Sequence, residues 1–114
     1  MSVIQKIMES SESDTDVLRR LDSEGDNFSA VREVDFTFIC PDMNKAEVVA
    51  GFLGDYQFGR TEIVNEQDQW EVLVQIDMLV TQNILLSISA FMTCIAELYG
   101  VEYDGWGCVA QNNT

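Results

Sequence analysis

The sequence contains no histidine and few basic residues. Six Lys and Arg stand against twenty Asp and Glu, which gives a formal net charge of -14 over 114 residues. Histidine is the side chain that most readily exchanges a proton near pH 7, and it is the commonest ligand of transition metals. Its absence argues against most hydrolase and zinc-protein hypotheses. We therefore expect a non-enzymatic protein with no catalytic residue, no metal site and no cofactor.

Basic residues are missing altogether from the second half of the chain, where none follows Arg60. Binding of nucleic acid requires cations that neutralise phosphates and release counterions. A protein this acidic repels the nucleic-acid backbone and attracts basic polypeptides instead. The charge balance thus predicts a protein partner and no direct contact with nucleic acid.

Signals for secretion and for membrane insertion are weak. The cysteines at positions 40, 94 and 108 form no CxxC pair and leave an odd one in any disulfide scheme, which predicts reduced thiols in a cytoplasmic protein. The longest uncharged stretch, residues 78–96, contains six Ser, Thr, Asn and Gln residues and has an acidic residue at each end. A membrane span has fewer polar residues and basic flanks. We expect this stretch to form a buried helix and to make no membrane contact.

Alternation of apolar with polar residues predicts the strands. One alternating run begins at Arg32 and is stopped by Pro41, and a second covers residues 70–78 after a short strand at 60–64 and a polar turn at 65–69. Between them, Asp42 is placed to cap a helix that has apolar residues at helical spacing. Thr81 is placed to cap a longer helix that ends at Gly100, and residues 101–110 form the last strand.

The order strand, helix, strand, strand, helix, strand predicts an α+β protein with a ferredoxin-like, split βαβ arrangement. In that arrangement two helices cover one face of a four-stranded antiparallel sheet. Residues 1–16 are predicted to form an N-terminal arm, because the polar run 9–16 interrupts their helical stripe. A further helical segment, capped at Asp14 or Thr15 and ended at Gly25, opens a regulator domain at 17–114.

The N-terminal helix also bears on the oligomeric state. The long helix is apolar around much of its circumference, and we expect Val17, Leu18 and Leu21 to cover its far side. A second copy of the chain is the other candidate for this cover. The sequence therefore predicts a monomer or a weak homodimer.

One face of the predicted sheet is left uncovered, and its residues are mostly acidic. RNA recognition motifs carry stacking aromatics and flanking bases on the same face. Here carboxylates take those places, and they would attract a basic protein segment or serve only to keep the sheet soluble. As candidate partner-binding residues on this face we take the following acids: Glu33, Asp35, Glu71, Asp77, Glu102 and Asp104.

The string VEYDGWG at residues 101–107 is the most distinctive in the chain. Two glycines around Trp106 predict a β-bulge that redirects the indole ring. Tyr103 and Trp106 then either pack at the rim of the sheet or anchor a partner, as exposed aromatic residues often do. We include both among the candidate partner-binding residues.

The VEYDGWG string, the turn VLRRLDSEGDN at residues 17–27 and the order of elements between them resemble the regulator of ribonuclease E activity B family of bacterial proteins. The resemblance covers about residues 17–110. It implies a small acidic, ferredoxin-like, cytoplasmic protein that binds ribonuclease E and inhibits its endonuclease activity. It also implies action through protein contacts outside the catalytic core.

Two functional hypotheses follow. In the first, the acidic sheet face and the YDGWG rim dock on a basic, non-catalytic segment of ribonuclease E and restrain RNA degradation. In the second, the chain is an acidic immunity protein or nucleic-acid mimic that blocks the active site of a basic nuclease or toxin. Competition with the RNA substrate distinguishes them, because only the mimic occupies the substrate's place.

Overall fold

A computed structural model of the chain describes residues 2–111, so the last three residues of the predicted domain, 112–114, lie outside it. Its helices and strands, in chain order, are α1 Val3–Ser23, β1 Arg32–Cys40, α2 Met43–Asp55, β2 Arg60–Glu66, β3 Gln69–Met78, α3 Gln82–Tyr99 and β4 Glu102–Cys108. The strands form one sheet in the order β2-β3-β1-β4, with every neighbouring pair antiparallel. This arrangement confirms the predicted ferredoxin-like α+β fold with an additional N-terminal helix.

The core lies between the sheet and the helices. Val34, Phe36 and Phe38 of β1 and Val72 and Val74 of β3 have no exposed surface, whereas the residues between them are partly or fully exposed. Full burial of one such side chain contributes about 1.5–3 kcal/mol. The two central strands therefore fix which face of the sheet is covered.

Local signals set the ends of α2 and α3 at the predicted positions, although the side chain of Thr81, the predicted cap of α3, makes no capping hydrogen bond. The Asp42 carboxylate accepts a hydrogen bond from the backbone N–H of Lys45 at 2.8 Å and caps α2. Gly100 ends α3 with a φ of 70°, in the left-handed region. The β2–β3 hairpin turns through Gln67 and Asp68 alone, which corrects the predicted turn at 65–69, and the positive φ angles of these two residues suit a two-residue turn between twisted strands.

The N-terminal region differs from the prediction of two helical segments. Helix α1 runs without a break from Val3 to Ser23, and Ser2 begins it with a reciprocal capping box with Gln5. The polar run does not interrupt the helix, because its inward side chains find polar partners. The Ser10 hydroxyl lies 3.2 Å from that of Ser89 on α3, and the Asp14 carboxylate is 6% exposed. The division into an arm at 1–16 and a domain at 17–114 stays a prediction.

Helix α1 packs along α3 and covers its outer side. Leu18 is buried and Leu21 packs against the core, as predicted, whereas Val17, the third predicted contact, is half-buried and lies outside the core cluster. By length and mean hydropathy, α3 itself reaches the threshold for a membrane span. Leu85, Met92 and Ile95 belong to the buried core cluster, and 33% of the apolar window is buried in all.

A buried ion pair ties the loop after α1 to β1 and to the C-terminal segment. Asp26 and Arg32 form a bidentate pair at 2.7 and 2.8 Å, and both side chains are at most 2% exposed. The Asp26 carboxylate also accepts the backbone N–H of Gln111 at 2.8 Å. The hydrogen bond from Arg32 holds the pKa of Asp26 below its ordinary value.

Candidate functional site

The uncovered side of the sheet, which we call the open face, carries the alternate residues of all four strands. On β1 these include Glu33 and Asp35, which stand opposite Asp77 and Gln75 of β3. Strands β2 and β4 continue the face to either side. Its carboxylates with a register partner are Glu33, Asp35, Glu62, Glu66, Glu71, Asp77 and Glu102, whereas Asp104 lies in the irregular part of β4 and lines the groove beside α1. The face is therefore as acidic as predicted, and it includes two carboxylates of β2 that the sequence analysis did not select.

Arg60 is the one base on the open face within residues 2–111. Its guanidinium donates to Glu33 at 2.7 Å and to both carboxylate oxygens of Asp77 at 3.2 Å. The hydrogen bonds to Asp77 and Glu33 raise the pKa of Arg60. Arg60 was predicted at the start of a short strand and not on this face, where its register opposite Gln75 places it.

The Gln75 amide joins the acids of β1 to this group. Its NH₂ donates to Glu33 at 3.0 Å and to Asp35 at 3.2 Å. Three of the predicted acids, Glu33, Asp35 and Asp77, are thus joined through Arg60 and Gln75. We call Glu33, Asp35, Arg60, Gln75 and Asp77 the bridged half of the open face.

The remainder of the open face mixes acids with aliphatic side chains. Glu71 of β3 stands between Val64 of β2 and Ile39 of β1, and Ile39 stands next to Glu102 of β4. One row further along the strands, Glu62 stands opposite Leu73. The acidic half of the open face is defined by these six residues: Ile39, Glu62, Val64, Glu71, Leu73 and Glu102.

Tyr103 and Trp106 lie on the other side of the sheet from the acids. Tyr103 stands opposite Phe38 of β1, and its hydroxyl lies 3.0 Å from the hydroxyl of Ser89 on α3. Trp106 stands opposite Phe36, and its indole N–H donates a hydrogen bond to Asp14 at 2.9 Å. Burial raises the pKa of Tyr103. The structure therefore separates the predicted site into two groups, the acids on the open face and the aromatic pair under the helices.

The predicted bulge explains how both aromatic rings reach the helix side. Tyr103 and Trp106 are three positions apart, so a regular strand would point them to opposite faces. The register with β1 shifts between Phe36 and Phe38, and Gly105 adopts a φ of 95° at that point. The one extra residue in β4 therefore lets both rings point to the helix side of the sheet.

A groove lies between α1, α3 and the edge of β4, on the helix side of the molecule. Lys6 pairs with Glu97 at one side of it, and Tyr103 and Val101 contribute to its lining. Within residues 2–111, no three Cys, Asp or Glu side chains lie close enough together to hold a metal ion. Cys40, Cys94 and Cys108 are free thiols, and burial raises the pKa of Cys40 and of Cys108.

The fold and the open face define a class of small ferredoxin-like domains whose uncovered sheet face is acidic. RNA recognition motifs have the same architecture but carry aromatic rings and basic residues on that face. A family model described as regulator of ribonuclease activity B matches residues 11–108. The chain belongs to this family, which confirms the resemblance. A search of curated proteins finds no match.

Family membership supports a regulator of ribonuclease activity and implies a protein partner. It favours a regulator over a catalyst. The matched span begins within α1, at the residue after Ser10, and ends with β4 at Cys108. It therefore includes the second half of α1 and all four strands that build the open face.

Proposed function

We propose that this chain is a cytoplasmic, non-enzymatic regulator that binds ribonuclease E through a basic, non-catalytic segment of the enzyme and restrains RNA degradation. The observation that carries the proposal is the composition of the open face, where seven carboxylates accompany one guanidinium. A basic polypeptide is steered to such a surface at long range, and an RNA backbone is repelled.

The distribution of the other bases supports this surface over the helix side. Lys6, Arg19 and Arg20 lie on α1, Lys45 lies on α2, and Arg32 is buried in its pair with Asp26. The helix side therefore carries most of the positive charge of the chain. The acids of the helices are interspersed with these bases, whereas Arg60 is the one base among the carboxylates of the open face within residues 2–111.

Tyr103 and Trp106 are not required in the docking surface. Their polar atoms are engaged with Ser89 and Asp14, and their rings face the helices. We propose that the pair supports the surface by fixing β4 against α1 and α3. Direct contact with the partner is assigned to the acids.

We expect the affinity for ribonuclease E to depend on charge on the open face. The double variant Asp35→Lys/Asp77→Lys should weaken binding about tenfold or more, because each reversal replaces an attraction by a repulsion. Affinity of the unmodified chain should also fall as salt rises from low to above physiological concentration. Isothermal titration calorimetry at two salt concentrations measures both effects.

The matched control is the double variant Glu47→Lys/Asp55→Lys, which changes net charge equally on exposed positions of α2. It should retain most of the affinity. Equal weakening by both variants would show that net charge alone matters, and binding indifferent to salt and to both variants would refute the proposed surface.

Steady-state RNA cleavage separates the proposed function from nucleic-acid mimicry. A regulator docked outside the catalytic core should lower kcat and leave the KM for RNA unchanged. A rise in KM that excess RNA overcomes would instead identify the chain as a mimic that occupies the substrate site.

A further inference from the structure

The carboxylates of the open face differ in how far the protein itself compensates their charge. In the bridged half, Glu33 and Asp77 accept hydrogen bonds from Arg60, and Asp35 accepts one from Gln75. In the acidic half, Glu71 accepts a hydrogen bond only from the neutral amide of Gln69, among the side chains of residues 2–111. No base within that span contacts Glu62 or Glu102.

Aliphatic side chains alternate with these uncompensated acids. Across the four strands, the register gives the row Val64, Glu71, Ile39, Glu102, and the next row contains Glu62 beside Leu73. Val64, Ile39 and Leu73 are each half-buried, so part of each remains available for contact. Neighbouring strands are about 4.8 Å apart, which places an acid and an aliphatic group side by side at every step.

Two consequences follow for an incoming segment. At the bridged half a new cation must compete with Arg60 for Glu33 and Asp77, which already hold its guanidinium. At the acidic half it meets uncompensated charge, but a purely basic segment would leave Ile39, Val64 and Leu73 in contact with water or with charge. A segment with both cationic and aliphatic groups satisfies the whole surface.

We propose that the acidic half of the open face is a docking site for a partner polypeptide segment that presents both arginine or lysine and aliphatic side chains on the one side that faces the sheet. This inference rests on the proposed function and adds where on the open face the partner binds and which side chains it presents. Arginine suits the acids best, because its guanidinium is weakly hydrated and can form a fork with one carboxylate. The aliphatic groups bury Leu73 and its neighbours.

The test compares two triple variants of the full chain that remove equal charge from the two halves. Glu62→Gln/Glu71→Gln/Glu102→Gln alters the acidic half, and Glu33→Gln/Asp35→Asn/Asp77→Asn alters the bridged half. Each is titrated with two synthetic peptides, one repeating Arg-Ser-Leu-Ser, which in an extended chain places arginine and leucine on the same side, and one repeating Arg-Ser-Ser-Ser. Circular dichroism verifies that each variant is folded.

We expect the first triple variant to weaken binding of the arginine–leucine peptide about tenfold, and the second to weaken it about threefold or less. Leu73→Ser should weaken the same peptide about fivefold, because the leucine loses its apolar contact, and should leave the arginine–serine peptide unaffected. Equal binding of the two peptides by the unmodified chain would overturn the aliphatic part of the proposal.

The outcomes separate this inference from the proposed function. Equal losses with the two triple variants, together with weakened binding of ribonuclease E, would overturn the assignment to the acidic half and leave the regulatory surface in place. Unchanged binding of ribonuclease E by both triple variants would overturn the proposed function and this inference with it.

Discussion

Replacement of Asp26 by alanine should lower the free energy of unfolding by about 3–5 kcal/mol, which is a large share of the stability of a domain of this size. The change leaves the buried guanidinium of Arg32 without its counter-ion, and the Nε of Arg32 already has no hydrogen-bond partner within residues 2–111. It also releases the backbone N–H of Gln111. Urea unfolding followed by circular dichroism at neutral pH measures the loss.

Asp16→Ala is the matched control for this prediction. Asp16 pairs with Arg19 on the surface of α1, where both side chains are 75% exposed, and exposed pairs contribute little. The control should therefore lie close to the unmodified chain. A loss for Asp26→Ala no larger than for Asp16→Ala would contradict the role assigned to the buried pair.

The contribution of Asp26 depends on pH with a defined sign. Because the hydrogen bond from Arg32 lowers the folded-state pKa below the ordinary value of 3.8, the stabilisation is complete above that value. It is lost as pH falls through the lowered folded-state pKa. The stability difference between the unmodified chain and Asp26→Asn should thus be constant from neutral pH down to about pH 5 and shrink below it.

Trp106→Ala should lower the free energy of unfolding by about 3 kcal/mol, which is second only to the loss expected for Asp26→Ala. The change removes the ring from the helix side of the sheet and leaves the buried carboxylate of Asp14 with the Ser10 hydroxyl, at 3.5 Å, as its side-chain partner within residues 2–111. Trp106→Phe retains a ring and removes only the indole donor, so about 1–3 kcal/mol is expected.

Trp70→Phe provides the control for the hydrogen bond. Trp70 is also half-buried on β3, and its indole nitrogen donates to no partner within residues 2–111, so its replacement should cost less than that of Trp106. Folded Trp106→Phe should bind ribonuclease E with unchanged affinity. A large loss of affinity without loss of stability would instead return Trp106 to the docking surface.

Sequence patterns were sufficient to predict on which face of the sheet each acid of β1 and β3 lies. Alternation has a period of two, so the burial of Phe36 and Phe38 determines the exposure of Asp35 between them. The bulge was predictable for a similar reason, because Gly105 permits a backbone angle that other residues avoid. These features depend on neighbours within a few positions in the chain.

Features that depend on distant neighbours were not predictable in the same way. The polar run in α1 is helical because Ser10 and Asp14 contact Ser89 and Trp106, which follow some eighty to ninety residues later. A search for apolar stripes does not detect such contacts. The division of the open face likewise depends on Arg60 reaching Glu33 across β3, a contact that only the strand order reveals.

The most direct test of the central claim is a map of the residues that ribonuclease E contacts on this chain. Amide chemical-shift changes in a ¹⁵N-labelled sample titrated with ribonuclease E would provide it. The account predicts changes at Ile39, Glu71 and Leu73 and their neighbours on the open face, with α2 and the outer side of α1 unaffected. Changes confined to the helix side would contradict it.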